Sequence, residues 1–153
     1  EHAMGITINR GFDGLGLGEV LGGLEIPDAD RVPDFPLVQG GPVGPERGFV
    51  IHSPDFELAG ATLTVNQSIS LTATREALNA LTSQNPPQKA LLALGFAGWG
   101  PGQLERELTQ AVWMVTDARD AIVFDPDHAH KWERALATLG IAPHQLHGGI
   151  GNA

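Results

Sequence analysis

Hydrophobic and polar positions in this chain alternate in short runs separated by glycine and proline, a pattern typical of many brief strands and turns. The most regular run, residues 89–96 (KALLALGF), is almost entirely apolar and predicts a strand that is buried on both faces. Other apolar or β-branched runs predict further strands at residues 3–9, 36–39, 48–52, 62–65, 69–72, 111–116 and 121–124.

Helices are predicted where apolar residues recur every three to four positions beside start and stop signals. The four predicted helices cover residues 17–21, residues 75–81 after Thr74 as N-cap, residues 101–110 with Pro101 in the first turn, and a segment that starts at Asp125-Pro126 and ends at Leu139 before Gly140. Because hairpin-like strands and single crossover helices both occur, a mixed α+β fold is favoured over a regular doubly wound sheet. Trp113 and Trp132 have apolar neighbours, so both are expected to pack in the core.

Composition narrows the possible functions. With 18 acidic and 9 basic residues the chain has a net charge of −9, and no two basic residues are adjacent, so direct binding of DNA or RNA is not expected. The absence of cysteine removes disulfides and thiolate zinc sites. No apolar run approaches the roughly 20 residues that span a bilayer, and no signal-peptide pattern is visible. We therefore expect one cytoplasmic domain of 153 residues without a membrane contact.

The histidines do not form a recognisable metal motif. His128 and His130 are two positions apart, and on a helix this spacing turns their rings away from each other. His144 and His147 lie near the C-terminus and match no zinc motif either. Neither a metal ion nor another cofactor is therefore expected.

The glycine-rich stretch LGFAGWGPGQLERE, residues 94–107, is the first candidate for chemistry. A buried strand, a flexible turn and a helix N-terminus can together bind an anion, because free main-chain N–H groups and the helix dipole point to one place. Two details oppose a phosphate site: Pro101 lacks one of those N–H groups, and Glu105 and Glu107 bring negative charge. The structural interpretation is that the glycines permit close packing and that Trp99 covers an edge of the core.

The second candidate is the stretch GGPVGPERGFVIH, residues 40–52, in which Arg47 and His52 flank one predicted strand. An arginine there could hold an anionic substrate, and a histidine could move a proton. The same side chains could instead form an ion pair with Glu46 or Glu105 and a hydrogen bond at the strand end. No nucleophile or carboxylate pair lies nearby in the sequence, which favours the structural interpretation.

Five segments together form a pattern that is more specific than any single motif. They are AMGITINR (3–10), GGPVGPERGFVIH (40–52), ALLALGFAGWGPGQLERE (90–107), IVFD (122–125) and WERALATLGI (132–141). In this order and spacing they resemble the YqgE/AlgH family of bacterial proteins over nearly the whole chain. The resemblance implies a single α+β domain with a strongly bent or bifurcated sheet, which forms a pseudo-barrel with about four helices packed outside. It also implies that the family's further N-terminal strand, which would precede Ala3, is missing here.

The resemblance supplies neither a reaction nor catalytic residues. The leading hypothesis is therefore a non-enzymatic regulatory or interaction domain whose partner is a protein or a small molecule. The alternative is a small-molecule-binding enzyme with a cleft between the loops at residues 40–52 and 98–105. In the enzyme, Arg47 would hold an anion, His52 would transfer a proton, and Trp99 would stack on the ligand. The candidate ligand-binding or partner-binding residues are Arg47, His52, Trp99, Gly100, Gln103 and Glu105, of which Gln103 or Glu105 would orient the ligand.

Overall fold

The centre of the fold is the strand predicted by the long apolar run. This computed structural model describes residues 1–146, and within them six strands form one sheet. The strands are β1 (Ala3–Gly5), β2 (Leu37–Gln39), β3 (Val43–His52), β4 (Thr62–Thr64), β5 (Ser70–Thr72) and β6 (Ala90–Trp99). Their order is β1-β6-β3-β5-β4, and all of these pairings are antiparallel. Strand β2 pairs with β6 outside this path and in parallel.

The sheet branches and bends at Gly95 in the middle of β6. Strand β3 runs along one side of β6, whereas β2 pairs with residues 92–94 and β1 with residues 97–99. Between these two partners Gly95 has a φ of +78°, and a Cβ there would collide with the main chain of Gly41. A Cβ at Gly40 would likewise collide with the carbonyl of Gly95. Because glycine has no side chain, the main chain at Gly40 and Gly41 can cross closely over that at Gly95. The sheet thereby curls into a half-barrel, in agreement with the bent sheet expected from the family resemblance.

Within residues 1–146, six helices accompany the sheet, rather than about four. They are α1 (Leu17–Gly23), α2 (Arg75–Leu81), α3 (Gln103–Thr109), α4 (Asp120–Val123), α5 (His128–Thr138) and α6 (Pro143–Leu146), besides a 3-10 turn at Ala29–Arg31. Helices α4 and α6 have four residues each, which is too short for a helical period to be visible in the sequence. Among the residues described, no helix is long and apolar enough to cross a membrane.

The core lies on both faces of β6, as the apolar run predicts. Leu92 packs on one face with Leu21 of α1 and Leu81 of α2, all three fully buried. Leu91 packs on the other face with Phe49 of β3 and other apolar residues. Successive side chains of a strand alternate between faces, so burial on both faces requires a run without polar interruptions.

Two of the predicted strands are wrong. Residues 121–124 overlap α4, where Ile122 and Val123 donate main-chain hydrogen bonds to the carbonyl of Arg119, each 3.0 Å long. Val123 is buried with Leu91 and Phe49 on the second face of β6, and this tertiary contact overrides the strand preference of β-branched residues. Residues 111–116 form no strand, because none of the described strands pairs with them.

Two helices begin later than predicted, for reasons of local backbone geometry. Helix α3 begins at Gln103 rather than Pro101, because Gly102 precedes it in a left-handed conformation with φ +68°. Helix α5 begins after Asp127 rather than Asp125, because the Asp125 carboxylate accepts the N–H of Asp127 at 2.8 Å. This Asx turn delays the first helical residue.

A buried lysine attaches α5 to the rest of the fold. Lys131 is 2% exposed, and its ammonium donates hydrogen bonds to the carbonyls of Ile8, at 2.7 Å, and Val123, at 2.9 Å. Because burial penalises the charged form, the pKa of Lys131 falls to about 8. The lysine thereby joins α5 to α4 and to the segment that contains Ile8. These bonds fix the part of α5 that carries its neighbour Trp132.

Candidate functional site

The glycine-rich loop and α3 hold a carboxylate rather than an open anion site. The Glu107 Oε2 atom accepts hydrogen bonds from the indoles of Trp99, at 3.0 Å, and Trp113, at 2.7 Å. Its Oε1 atom accepts one from the Gln103 amide at 2.9 Å, and the Gln103 oxygen in turn accepts the N–H of Gly100 at 3.0 Å. We call Trp99, Gln103, Glu107 and Trp113 the Trp–Glu cluster.

The hydrogen bonds of the Trp–Glu cluster stabilise its negative charge. The bonds from Trp113, Gln103 and Trp99, in decreasing order of effect, hold the pKa of Glu107 below its usual value. The two indole rings meet edge to face with centroids 5.8 Å apart. The donors that could have bound a ligand anion at this loop are thus occupied by a carboxylate of the protein itself.

Three of the predicted site residues, Trp99, Gly100 and Gln103, lie together at this cluster, and Glu105 is excluded from its hydrogen bonds. Glu105 is exposed on α3, and within residues 1–146 its carboxylate makes no hydrogen bond or ion pair. Only its main-chain carbonyl is used, by the hydroxyl of Thr109 at 2.9 Å. The Glu105 carboxylate therefore makes no hydrogen bond to any side chain of the Trp–Glu cluster.

Arg47 lies elsewhere, at an exposed position of β3. Its guanidinium lies over the rings of Phe49, at 5.6 Å, and Phe96, at 5.3 Å. Among the described residues it forms no ion pair with Glu46 or Glu105, so the ion pair proposed as its structural role is not observed. Its contacts are aromatic and its charge remains exposed to solvent.

His52 is fully buried in a hydrogen-bond network whose donors are all matched. Its Nδ1 atom lies 2.9 Å from the carbonyl of Ser53, which can only accept, so Nδ1 carries a proton. The Nε2 atom lies 2.8 Å from the hydroxyl of Thr72, which is 2.8 Å from that of Thr62, and Thr62 accepts the N–H of Leu58 at 2.8 Å. The Thr62 hydroxyl can donate to Thr72 and the Thr72 hydroxyl to Nε2, so every donor of this network has an acceptor.

The buried histidine does not belong to a catalytic triad. The hydroxyl of Ser53 contacts the carboxylate of Asp55 and the main chain of Lys89, not the imidazole. Partial burial raises the pKa of Asp55, but hydrogen bonds from Ser53 and the main chain of Gln88 outweigh burial and lower it. A serine that is not bonded to the histidine lacks the base that activates a nucleophile.

The structure does not bring His52 and Trp99 together. His52 pairs with Ala90 at the first residue of β6, and Trp99 is the last residue of that strand. Nine residues at about 3.3 Å each separate the two positions by up to about 30 Å along the strand. A single cleft that contains both side chains is therefore not formed.

A surface that the sequence did not suggest lies beside the Trp–Glu cluster. Five large apolar side chains that are 40–60% exposed form it, and we call them the apolar surface: Val112, Trp113, Met114, Trp132 and Leu139. A groove of about 330 Å³ runs between residues 112–116 and α5, and a second hollow of about 330 Å³ lies between Trp113 and residues 5–9. Trp113 forms a ridge between the two depressions.

The expected core positions of Trp113 and Trp132 are therefore wrong. Trp113 is 48% and Trp132 46% exposed. The pattern around Trp132 is that of a core helix, since positions 132, 135 and 136 of α5 and position 139 at its C-terminal end form one apolar stripe. Helical spacing shows that side chains share a face, but it does not show whether another element covers that face.

The described histidines and carboxylates form no metal site. No group of three metal-ligating side chains is close enough in residues 1–146, and His147 lies outside the part described. His130 instead forms an exposed contact of 2.8 Å with Asp127. Arg134 pairs with Asp125 and Asp127, so the acidic residues at the start of α5 bind side chains of that helix.

Comparison with known proteins gives a consistent family assignment. The model of the AlgH-like family matches residues 1–144. UPF0301 proteins from Caulobacter vibrioides and Rhodopseudomonas palustris are 48% and 44% identical over the whole chain, which covers 79% and 73% of their lengths.

Solved structures agree with this assignment. The solution structure of AlgH from Pseudomonas aeruginosa is 34% identical with a TM-score of 0.74, over 99% of this chain and 80% of that one. Protein DIP2367 from Corynebacterium diphtheriae is 18% identical with a TM-score of 0.66, over 90% and 71% of the two chains, and shares the fold. The chain belongs to the AlgH-like family.

Proposed function

We propose that this protein is a non-enzymatic interaction domain and that its apolar surface binds another polypeptide. The carrying observation is that five large apolar side chains, each 40–60% exposed, line one groove of about 330 Å³. Contiguous exposed apolar side chains mark interaction surfaces, because isolated ones are normal but clustered ones are rare on monomers.

The chemistry of the groove favours a polypeptide over a small polar molecule. Small-molecule sites combine apolar walls with a few polar groups that point to one place. Here Thr116 is the polar side chain of the groove wall, and its hydroxyl already bonds that of Thr138 at 2.8 Å. The net charge of −9 supports a protein partner rather than a nucleic acid. The absence of cysteine is compatible with the cytoplasm as the place of action.

The alternative of a small-molecule-binding enzyme requires Arg47, His52 and Trp99 to converge on one ligand. His52 is fully buried in the core. Arg47 contacts the rings of Phe49 on β3 and Phe96 on β6 instead. No nucleophile with a bonded base appears among the described residues near Trp99. We therefore propose no reaction for this site.

A photo-crosslinking experiment tests the interaction domain. The amino acid p-benzoylphenylalanine replaces Trp132, which is 46% exposed, in one variant and Leu63 of β4, which is 62% exposed, in the other. Irradiation in the host cell is expected to give a discrete polypeptide adduct at position 132 but not at 63. Adding Met114→Asp to the Trp132 variant should abolish the adduct, because a charge in the groove opposes apolar contact. If position 132 gives no polypeptide adduct, the proposal is wrong.

A further inference from the structure

A polar cavity lies where the segment that follows β1 runs beside the end of β2. Its volume is about 240 Å³, and it is lined by Thr7, Arg10, Gln39, Gly41 and Pro42. Although acidic residues outnumber basic ones by 18 to 9 in this chain, the charged residue of the lining is Arg10. Thr7 and Gln39 add a hydroxyl and an amide, both of which can donate hydrogen bonds. The cavity therefore combines a positive charge with neutral donors.

Hydrogen bonds between the two segments hold these donors in place. The Thr7 N–H donates to the carbonyl of Gly40 at 2.7 Å, and the Gln39 N–H donates to that of Arg10 at 2.8 Å. The Gln39 side-chain amide donates to the carbonyl of Gly11 at 2.9 Å, and its second N–H is left for a ligand. Because the two segments are already fixed, a ligand that binds here costs little conformational entropy.

Two contacts from outside the cavity support its walls. The buried ammonium of Lys131 donates to the carbonyl of Ile8, which lies within the segment that carries the cavity's arginine. On the other wall, a Cβ at Gly41 would collide with the main chain of Phe96 in β6. Since Gly41 has no side chain, a ligand can approach its main chain closely. The cavity is therefore part of the packed fold.

We propose that Thr7, Arg10 and Gln39 bind the phosphate group of a small molecule. A guanidinium binds phosphate through two parallel N–H···O bonds. The donors belong to two neighbouring segments, and a tetrahedral phosphate directs three oxygens to different sides, whereas a planar carboxylate has two. A phosphate monoester also carries a charge of about −1.5 to −2 at pH 7, which strengthens its attraction to Arg10.

The size of the cavity suits a small phosphorylated molecule rather than a nucleic acid. A volume of 240 Å³ corresponds to about eight water molecules in the liquid, which is room for a phosphate group and a few further atoms. The net charge of −9 disfavours a polyanion, because repulsion at long range grows with the charge of the ligand. The cavity and the apolar surface consist of different residues, so this site is independent of the polypeptide binding proposed above.

Amide NMR spectra test the site, with inorganic phosphate as the probe. The amide signals of residues 7–11 and 39–41 should shift in a saturable manner as phosphate is added, and sodium chloride at the same ionic strength should not reproduce these shifts. Acetate should bind several-fold more weakly, because it has one charge and two acceptor oxygens. Unsaturable shifts, or none at tens of millimolar phosphate, would overturn the site. Acetate that binds as tightly as phosphate would overturn the assignment of the ligand.

Matched variants identify the groups that bind phosphate. Arg10→Gln should raise the dissociation constant about tenfold or more, because it removes the charge-assisted hydrogen bonds. Arg47→Gln removes the same charge from a side chain that contacts Phe49 and Phe96 instead, and should leave the constant nearly unchanged. Thr7→Val keeps the shape of the side chain without its hydroxyl and should weaken binding several-fold. Wild-type amide shifts far from the cavity verify that each variant is folded.

The two arginine variants also provide the decisive comparison. If Arg10→Gln and Arg47→Gln weaken phosphate binding equally, the anion responds to overall charge and the site is overturned. If Thr7→Val binds phosphate as the wild type does, the role of the hydroxyl is overturned.

Discussion

Strand β6 has a polar network near each of its ends, and the two networks differ in how far their aromatic side chains are exposed to solvent. Near Ala90, the network around His52 is enclosed and the ring is fully buried. Near Trp99, Glu107 receives three side-chain donors, yet Trp113 remains 48% exposed. Near Ala90 the hydrogen bonds lie inside the core. Near Trp99 the hydrogen bond to Glu107 keeps the Trp113 indole at the surface, although burial of an aromatic ring is favourable. Only the second arrangement keeps a surface available for a partner.

The largest expected effect concerns Lys131, which fixes α5 and with it Trp132 of the exposed end. Its pKa is about 8 in the folded state and 10.5 when unperturbed, so the unfolded state binds more protons between these values. The free energy of unfolding should therefore rise by about 3 kcal/mol as the pH increases from 8 to 10.5. Denaturant titrations across this window measure the increase.

The composition of the chain makes the Lys131 measurement selective. There is no tyrosine or cysteine, and Lys89 is the other lysine of the sequence. Lys131→Met has no ammonium to titrate, so its stability should be nearly independent of pH in this window. A wild-type protein with equally flat stability would contradict the effect of burial on this lysine.

The next effect breaks the enclosed network. His52→Leu leaves the hydroxyl of Thr72 and the carbonyl of Ser53 without their partner in the core, and should lower the free energy of unfolding by about 2–3 kcal/mol. Urea unfolding measures the loss. The yield of the photo-adduct at position 132, corrected for the unfolded fraction, should be unchanged, because the network lies near the opposite end of β6. Loss of the adduct from a folded His52→Leu protein would show that the two ends are coupled.

A subtler change breaks the exposed network. Glu107→Gln places an amide donor where the indoles and Gln103 all donate, so the ring of Trp113 should lose its fixed position. Near-ultraviolet circular dichroism should show a weaker signal from the three tryptophans, and the yield of the photo-adduct at position 132 should fall. Glu105→Gln alters an unbonded carboxylate on the same helix and is the matched control. Equal spectra for both variants would contradict the role of Glu107.

The smallest effect on stability comes from the exposed wall of the groove. Val112→Ser should change the free energy of unfolding by no more than about 0.5 kcal/mol, because the side chain is largely in solvent. The same substitution should reduce the yield of the photo-adduct at position 132, whereas Val115→Ser, at a similarly exposed position outside the groove, should leave the yield unchanged. Equal yields for the two variants would separate Val112 from the contact.

The sequence predicted the fold better than the site because the two depend on different information. The run at residues 89–96 shows burial on both faces by itself, since any solvated face would need alternating polar residues. The apolar stripe that includes Trp132 looks the same whether an element covers it or not. The Trp–Glu cluster depends on where β6, α3 and residues 111–119 lie in space, and no local pattern encodes that arrangement. The strand expected at residues 111–116 shows the same limit, because pairing requires a neighbour.

The bend at Gly95 makes one strand serve two independent purposes. The residues before it have both faces committed to the core, so substitutions there are constrained by volume. The residues after it pair only with short β1 and the start of β3, and carry Trp99 toward the loop. The close backbone crossing at Gly40, Gly41 and Gly95 therefore divides β6 into an inner arm that builds the core and an outer arm that positions the Trp–Glu cluster.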